Sequence, residues 1–171
     1  PSFDGSFDRK LSFAASRLKH LTSIDVRLRG MFSRFLDYST TARISMRDLL
    51  SSNSRHIRKF SFLAMGNDVS AIMLPLSFST KLETLKLEGC GFWRPRNLKR
   101  ILENKQVLKE LRLWFMEFEM YDHDQSGALD LALNFSLEIH DLYVQISALH
   151  NLQELDLDNQ YHTDFSTEHL P

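Results

Sequence analysis

Apolar residues recur along this chain at one spacing. The stretch KLETLKLEGCGF places Leu82, Leu85, Leu87 and Cys90 in the pattern L-x-x-L-x-L-x-x-C. VLKELRLWFM repeats it with Leu108, Leu111, Leu113 and Met116, and NLQELDLDNQ with Leu152, Leu155 and Leu157. HLTSIDVRL (Leu21, Ile24, Val26) and HIRKFSFLAM (Ile57, Phe60, Phe62, Met65) are looser copies. Alternate side chains of a strand share a face. Leu85 and Leu87 therefore point one way and Lys86 the other. Leu82 lies where the chain enters the strand, and Cys90 where it turns off. One such unit cannot bury its apolar face, but stacked copies can, each buried Leu contributing roughly 1.5–3 kcal/mol.

The first strand positions are Ile24, Phe60, Leu85, Leu111 and Leu155, separated by 36, 25, 26 and 44 residues. The middle intervals fall in the range of about 20–29 residues typical of leucine-rich repeats. The last gap leaves room for a degenerate repeat on Leu131 and Leu133. The first contains ARISMRDLLSS, which reads as a helix. GFWRPRNLKRILENK offers Pro95 as a helix start and Leu98, Ile101 and Leu102 as an apolar stripe. SLEIHDLYVQISAL sets Ile139, Leu142, Tyr143, Ile146 and Leu149 on one helical face. Leu11, Ala14, Ala15, Leu18 and Leu21 do the same near the start. The expected fold is α/β: a leucine-rich-repeat solenoid with parallel strands on the concave face and helices on the convex face. Residues 1–171 read as a single domain of five to six irregular repeats. The uncapped start at Pro1 and the helix-like TEHLP at the end suggest a fragment of a longer array.

On such a sheet two columns of side chains would face a partner. One is Asp25, Ser61, Lys86, Arg112 and Asp156. The other is Arg27, Leu63, Glu88, Trp114 and Asp158. Trp114 and Arg112 are the expected hot spots, since Trp and Arg dominate interface energetics. The partner-binding set is thus Asp25, Arg27, Lys86, Glu88, Arg112, Trp114, Asp156 and Asp158.

Charge adds a direction. The net charge is −1, yet all 21 Lys and Arg residues lie at or before Arg112. Residues 1–115 carry +11 and residues 116–171 carry −12. In a solenoid sequence order is spatial order, so one end is expected to be basic and the other acidic, an arrangement that steers a partner.

Chemistry-bearing motifs are weak. Asp122, Asp124, Ser126, Gly127, Leu129 and Asp130 imitate the first nine positions of an EF-hand loop, but position twelve is Leu133 where the bidentate Glu belongs. The segment reads as a polar turn. The seven histidines show no zinc-like spacing and read as surface or helix-end residues. Arg94, Arg96, Lys99, Arg100, Lys105 and Lys109 beside Trp93 form a basic cluster. Glu83, Glu88, Glu103 and Glu110 interleave with it, as on a solvated outer helix face, so nucleic acid is not expected. No Gly-rich phosphate loop or nucleophile elbow is present. Catalytic residues, metal and cofactors are all assigned as none, and the protein is not expected to be an enzyme. No run of residues is apolar enough to cross a membrane. The single cysteine forbids an internal disulfide and suits an intracellular compartment, cytoplasmic or nuclear.

LETLKLEGCGF followed by LKRILENKQVLKELRL resembles the repeats of F-box/leucine-rich-repeat proteins. The close match covers about residues 79–116, with weaker matches around 18–29, 54–65 and 149–160. Among the strand-ending positions Arg29, Met65, Cys90, Met116 and Gln160, Cys90 alone keeps the family's cysteine. The resemblance implies the substrate-recognition repeats of a ubiquitin ligase receptor. A protein substrate would sit on the concave face. The Skp adaptor and cullin would be reached only through an F-box module outside this chain. An innate-sensor or cytoskeletal and scaffold protein with the same repeats is the alternative.

Overall fold

The computed structural model describes residues 6–27, 40–63, 70–118 and 128–158; the side chains at 6–8, 89–93, 115–118, 128–134 and 158 lie outside that description. Helices and strands alternate: α1 (Ser6–Arg17), β1 (Ser23–Arg27), α2 (Thr40–Asn53), β2 (Lys59–Leu63), α3 (Ser70–Met73), β3 (Thr84–Trp93), α4 (Pro95–Leu102), β4 (Glu110–Phe118), α5 (Ala128–Ser147) and β5 (Glu154–Asp158). A 3-10 turn, Leu74–Phe78, prolongs α3. The five strands form one parallel sheet in chain order, β1-β2-β3-β4-β5.

The register follows the apolar spacing. Ile24 pairs with Phe60, Phe60 with Leu85, Leu85 with Leu111, and Leu111 with Leu155. The second rung is Val26, Phe62, Leu87, Leu113 and Leu157. One backbone contact recurs at every strand entry. The Thr22 carbonyl accepts the N–H groups of Arg58 and Lys59, at 2.8 and 3.0 Å. Arg58, Glu83 and Lys109 carbonyls accept the corresponding pairs from the next repeat. The same contact at four successive joints marks each strand as one turn of a coil.

The first leucine of each motif anchors the turn before its strand. Leu82, Leu108 and Leu152 donate their N–H groups to the carbonyls of Ser79, Lys105 and Leu149, three residues back. Leu82 and Leu108 are fully buried. The core is one continuous cluster of rung residues and helix stripes. Leu98, Ile101 and Leu102 of α4 are enclosed, as are Leu142 and Ile146 of α5, while Tyr143 points to solvent. In α1, Leu11 and Ala15 are buried; the helix ends at Arg17, so exposed Leu18 and half-buried Leu21 lie beyond it and not on its apolar stripe. Pro95 opens α4 at its first turn, where the missing N–H is no loss. Neighbouring strands stand about 4.7–4.9 Å apart, and packed helices need about 8–10 Å. This mismatch in spacing favours a bend that puts the strands inside.

Several expectations change. Leu131 and Leu133 lie in α5, so the long last gap is filled by a 20-residue helix and not by a further strand. The chain does not leave its strand at Cys90, because β3 continues to Trp93. Between Glu88 and Gly91 the register with β4 shifts. Gly89 and Cys90 there oppose Phe115 alone, which is a β-bulge. The basic cluster is not one helix face. Arg96, Lys99 and Arg100 lie on α4, Lys109 precedes β4, and Lys105 is buried. The Asp122–Gly127 turn, Arg29, Met65, Gln160, Pro1 and TEHLP lie outside the described residues, and the side chains of Cys90, Trp93, Met116, Leu129, Asp130 and Asp158 outside the described side chains.

Candidate functional site

Strand alternation turns the residues between the rungs onto the sheet's other face. Three columns cross it. Asp25, Ser61, Lys86, Arg112 and Asp156 pair in register, and so do Arg27, Leu63, Glu88, Trp114 and Asp158. The third, Ser23, Lys59, Thr84, Glu110 and Glu154, lies at the strand entries and supplies a partner that sequence reading missed. Glu110 Oε1 sits 2.6 Å from Lys86 Nζ on the adjacent strand. Its place one residue before the anchor Leu111 was the available signal, because residues adjacent to a rung residue face the opposite way.

Arg112 is the hub. Its Cζ lies 4.6 Å from the centroid of the Trp114 ring, within the range of a cation–π contact. Nη1 faces Glu88 Oε1 at 3.7 Å, and Nε faces Asp156 Oδ2 at 3.3 Å. The Nε is shielded from solvent and not aligned for hydrogen bonding, so its attraction to Asp156 is that of an ion pair. Two carboxylates on flanking strands thus hold one guanidinium over an indole. Both side chains are half-buried, which leaves them an accessible face. Arg27 and Asp25 pair within β1 at 3.0 Å, and Glu88, two strands away, adds a weaker attraction to Arg27. Lys86, Glu88, Arg112, Trp114 and Asp156 form one patch over β3 to β5, and Glu88 links it electrostatically to the Asp25–Arg27 pair on β1.

Charge also ties the repeats together off this face. Glu83 receives Lys109 Nζ at 3.4 Å and Arg58 Nη1 at 3.1 Å, and these cations hold its carboxyl below the usual carboxylate range. On the helical layer Lys99 Nζ lies 2.6 Å from Asp141 Oδ2. Their hydrogen bond raises the lysine and lowers the carboxylate from their ordinary values. All three pairs are open to solvent and contribute little stability.

Lys105 differs. It is fully enclosed, with Nζ donating to the Ser77 carbonyl at 2.8 Å. Burial lowers it to about 8, with Glu103 opposing the shift. Among the described residues no helix is long and apolar enough to cross a membrane.

No protein-family model matches the chain, and no curated protein matches it. Among solved structures, the tropomodulin C-terminal domain of Caenorhabditis elegans is similar at 18% identity and a TM-score of 0.47, covering 94% of this chain and 86% of that one. A likeness at that level carries no argument about function.

Proposed function

We propose that this chain is a non-enzymatic protein-binding module whose partner rests on the strand face, centred on Arg112 and Trp114. The observation that carries this reading is the guanidinium–indole stack at 4.6 Å, fixed between Glu88 and Asp156. Such a stack offers planar apolar area and charge at low entropic cost, the combination found at interface hot spots. Lys86 and Glu110 extend it along β3 and β4. Glu154 and Asp156 give β5 an acidic border, which suits a partner segment that is basic where it crosses that edge.

The finer reading is the substrate-receptor repeats of an F-box-like ubiquitin ligase. It rests on the resemblance of residues 79–116 to those repeats and on the single cysteine, which suits a reducing cytoplasmic or nuclear setting. The test uses affinity capture with four baits: the full-length protein, residues 1–171, and the Trp114→Ala and Arg112→Ala variants. The full-length bait is expected to bring down Skp adaptor, cullin and a substrate, and residues 1–171 the substrate alone. Each variant should lose the substrate and keep a thermal midpoint close to that of the parent. Substrate retention by both variants would overturn the face assignment. Recovery of a nucleotide-sensor or cytoskeletal assembly without adaptor or cullin would replace the F-box reading with the alternative.

A further inference from the structure

The positions four residues before each anchor form a column of their own: His20, His56, Lys81, Val107 and Asn151. Its first two members meet. His20 Nδ1 lies 2.9 Å from His56 Nε2, across 36 residues of sequence. The ring centroids are 4.4 Å apart and the planes cross at 73°. The pair is solvent-accessible, at the turns leading into β1 and β2.

The backbone beneath the pair is fixed. His20 holds a φ of 64°, in the left-handed region that residues other than glycine enter at a cost. Asn53, fully buried at the end of α2, spans both turns. Its Nδ2 donates to the Leu18 carbonyl at 3.0 Å, and its Oδ1 accepts from Leu21 N–H at 2.8 Å, bracketing His20. Its own carbonyl accepts the N–H of His56 at 2.8 Å. One buried residue therefore ties both turns, its side chain bracketing His20 and its backbone carbonyl holding His56. Pre-ordering of this kind lowers the entropic cost of capturing a ligand between them.

We propose that His20 and His56 form a two-imidazole site for a borderline divalent transition metal of the Zn2+, Cu2+ and Ni2+ class. Neutral imidazole nitrogen is a preferred ligand of these ions. With metal–nitrogen bonds of about 2.0–2.1 Å, two nitrogens of a tetrahedral shell stand about 3.3 Å apart. The present contact is a hydrogen bond, so metal capture requires the donor imidazole to carry its proton on its other ring nitrogen and both rings to turn about their broad terminal torsions until the two lone pairs converge on the ion. No cluster of three or more His, Cys, Asp or Glu side chains capable of holding a metal occurs among the described residues. Water or a partner's side chain completes the shell, so the site is exchangeable and not a structural zinc centre. Bound metal clips the first repeat to the second.

The test is calorimetric titration of the 171-residue protein with ZnCl2, repeated on His20→Asn and His56→Gln. Asn is chosen at position 20 because it tolerates the left-handed backbone. One equivalent is expected to bind wild type, and each variant should bind about tenfold or more weakly through loss of one metal–nitrogen bond. Substoichiometric NiCl2 should broaden the imidazole resonances of His20 and His56 before those of His140 and His150. Equal Zn2+ affinity in wild type and variants, or no measurable heat, overturns the proposal. Should a variant melt early, the order of broadening in wild type decides, and uniform broadening of all histidines overturns it.

Discussion

Leu111 and Leu155 occupy the same repeat position and have different surroundings. Leu111 is 0% exposed and Leu155 is 49% exposed. Leu111 lies between Leu85 and Leu155, whereas Leu155 has a described neighbour on one side only. Leu111→Ala should therefore cost about 2–5 kcal/mol, the range for an enclosed leucine, and Leu155→Ala about half of that or less. Urea denaturation of the two variants checks this, and equal losses would show β5 to be covered as fully as β4. The rung leucines were legible at this scale because alternation and burial are local consequences of strand geometry. The His20–His56 contact has no short-spacing signature. Its signal was the 36-residue interval, which equals the separation of the anchors Ile24 and Phe60.

At the scale of elements, the turn from helix to strand explains Lys105. Three residues before the motif's first apolar position stand Leu18, Ser54, Ser79, Lys105 and Leu149, and all but Leu18 of the first repeat are buried. From the second repeat on, the turn encloses the side chain at that place. Lys105 meets this constraint by passing its stem inward and capping the Ser77 carbonyl. A charged-face reading from composition alone could not see this, since it depends on the depth of the turn. The folded value of about 8 lies below the ordinary 10.5, so between these pH values the unfolded chain binds more protons. The desolvation penalty is fully present below pH 8 and is relieved as pH rises through the window. Stability should therefore increase from about pH 8 toward 10.5 through this group, and Lys105→Met should remove that contribution. Urea midpoints of parent and variant across the window measure it. Parallel profiles for the two proteins would show that Lys105 stays protonated.

For the whole molecule, strand order converts charge order into a dipole along the described coil. The strands β1 and β3 balance Asp25 with Arg27 and Lys86 with Glu88, so the basic charge lies mainly on α1, α2 and α4 (net +2, +1 and +3), against −3 on α5 and the three acidic residues Glu154, Asp156 and Asp158 of β5. Near the hub, Arg112 is already balanced by Glu88 and Asp156, so the long-range field comes from the ends and not from the hot spot. A partner recovered on the strand face should associate roughly tenfold more slowly as ionic strength rises from about 0.01 to 0.15 M, with its dissociation rate nearly unchanged. Surface plasmon resonance at several salt concentrations separates the two rates. A salt effect confined to dissociation would place the charged contacts inside the interface instead.

The apolar period determined the rungs, their parallel order and the alternation with helices, because side-chain direction in a strand has period two and stacking is the only way to bury both rung positions. It also brought Lys86, Glu88, Arg112, Trp114 and Asp156 to one face. Tertiary structure decided what passes between chain positions far apart: the bulge after Glu88, the enclosure of Lys105, the clasp of Arg112 by two neighbouring strands, and the meeting of His20 with His56. These depend on distances across strands and turns, which no spacing along a single strand encodes.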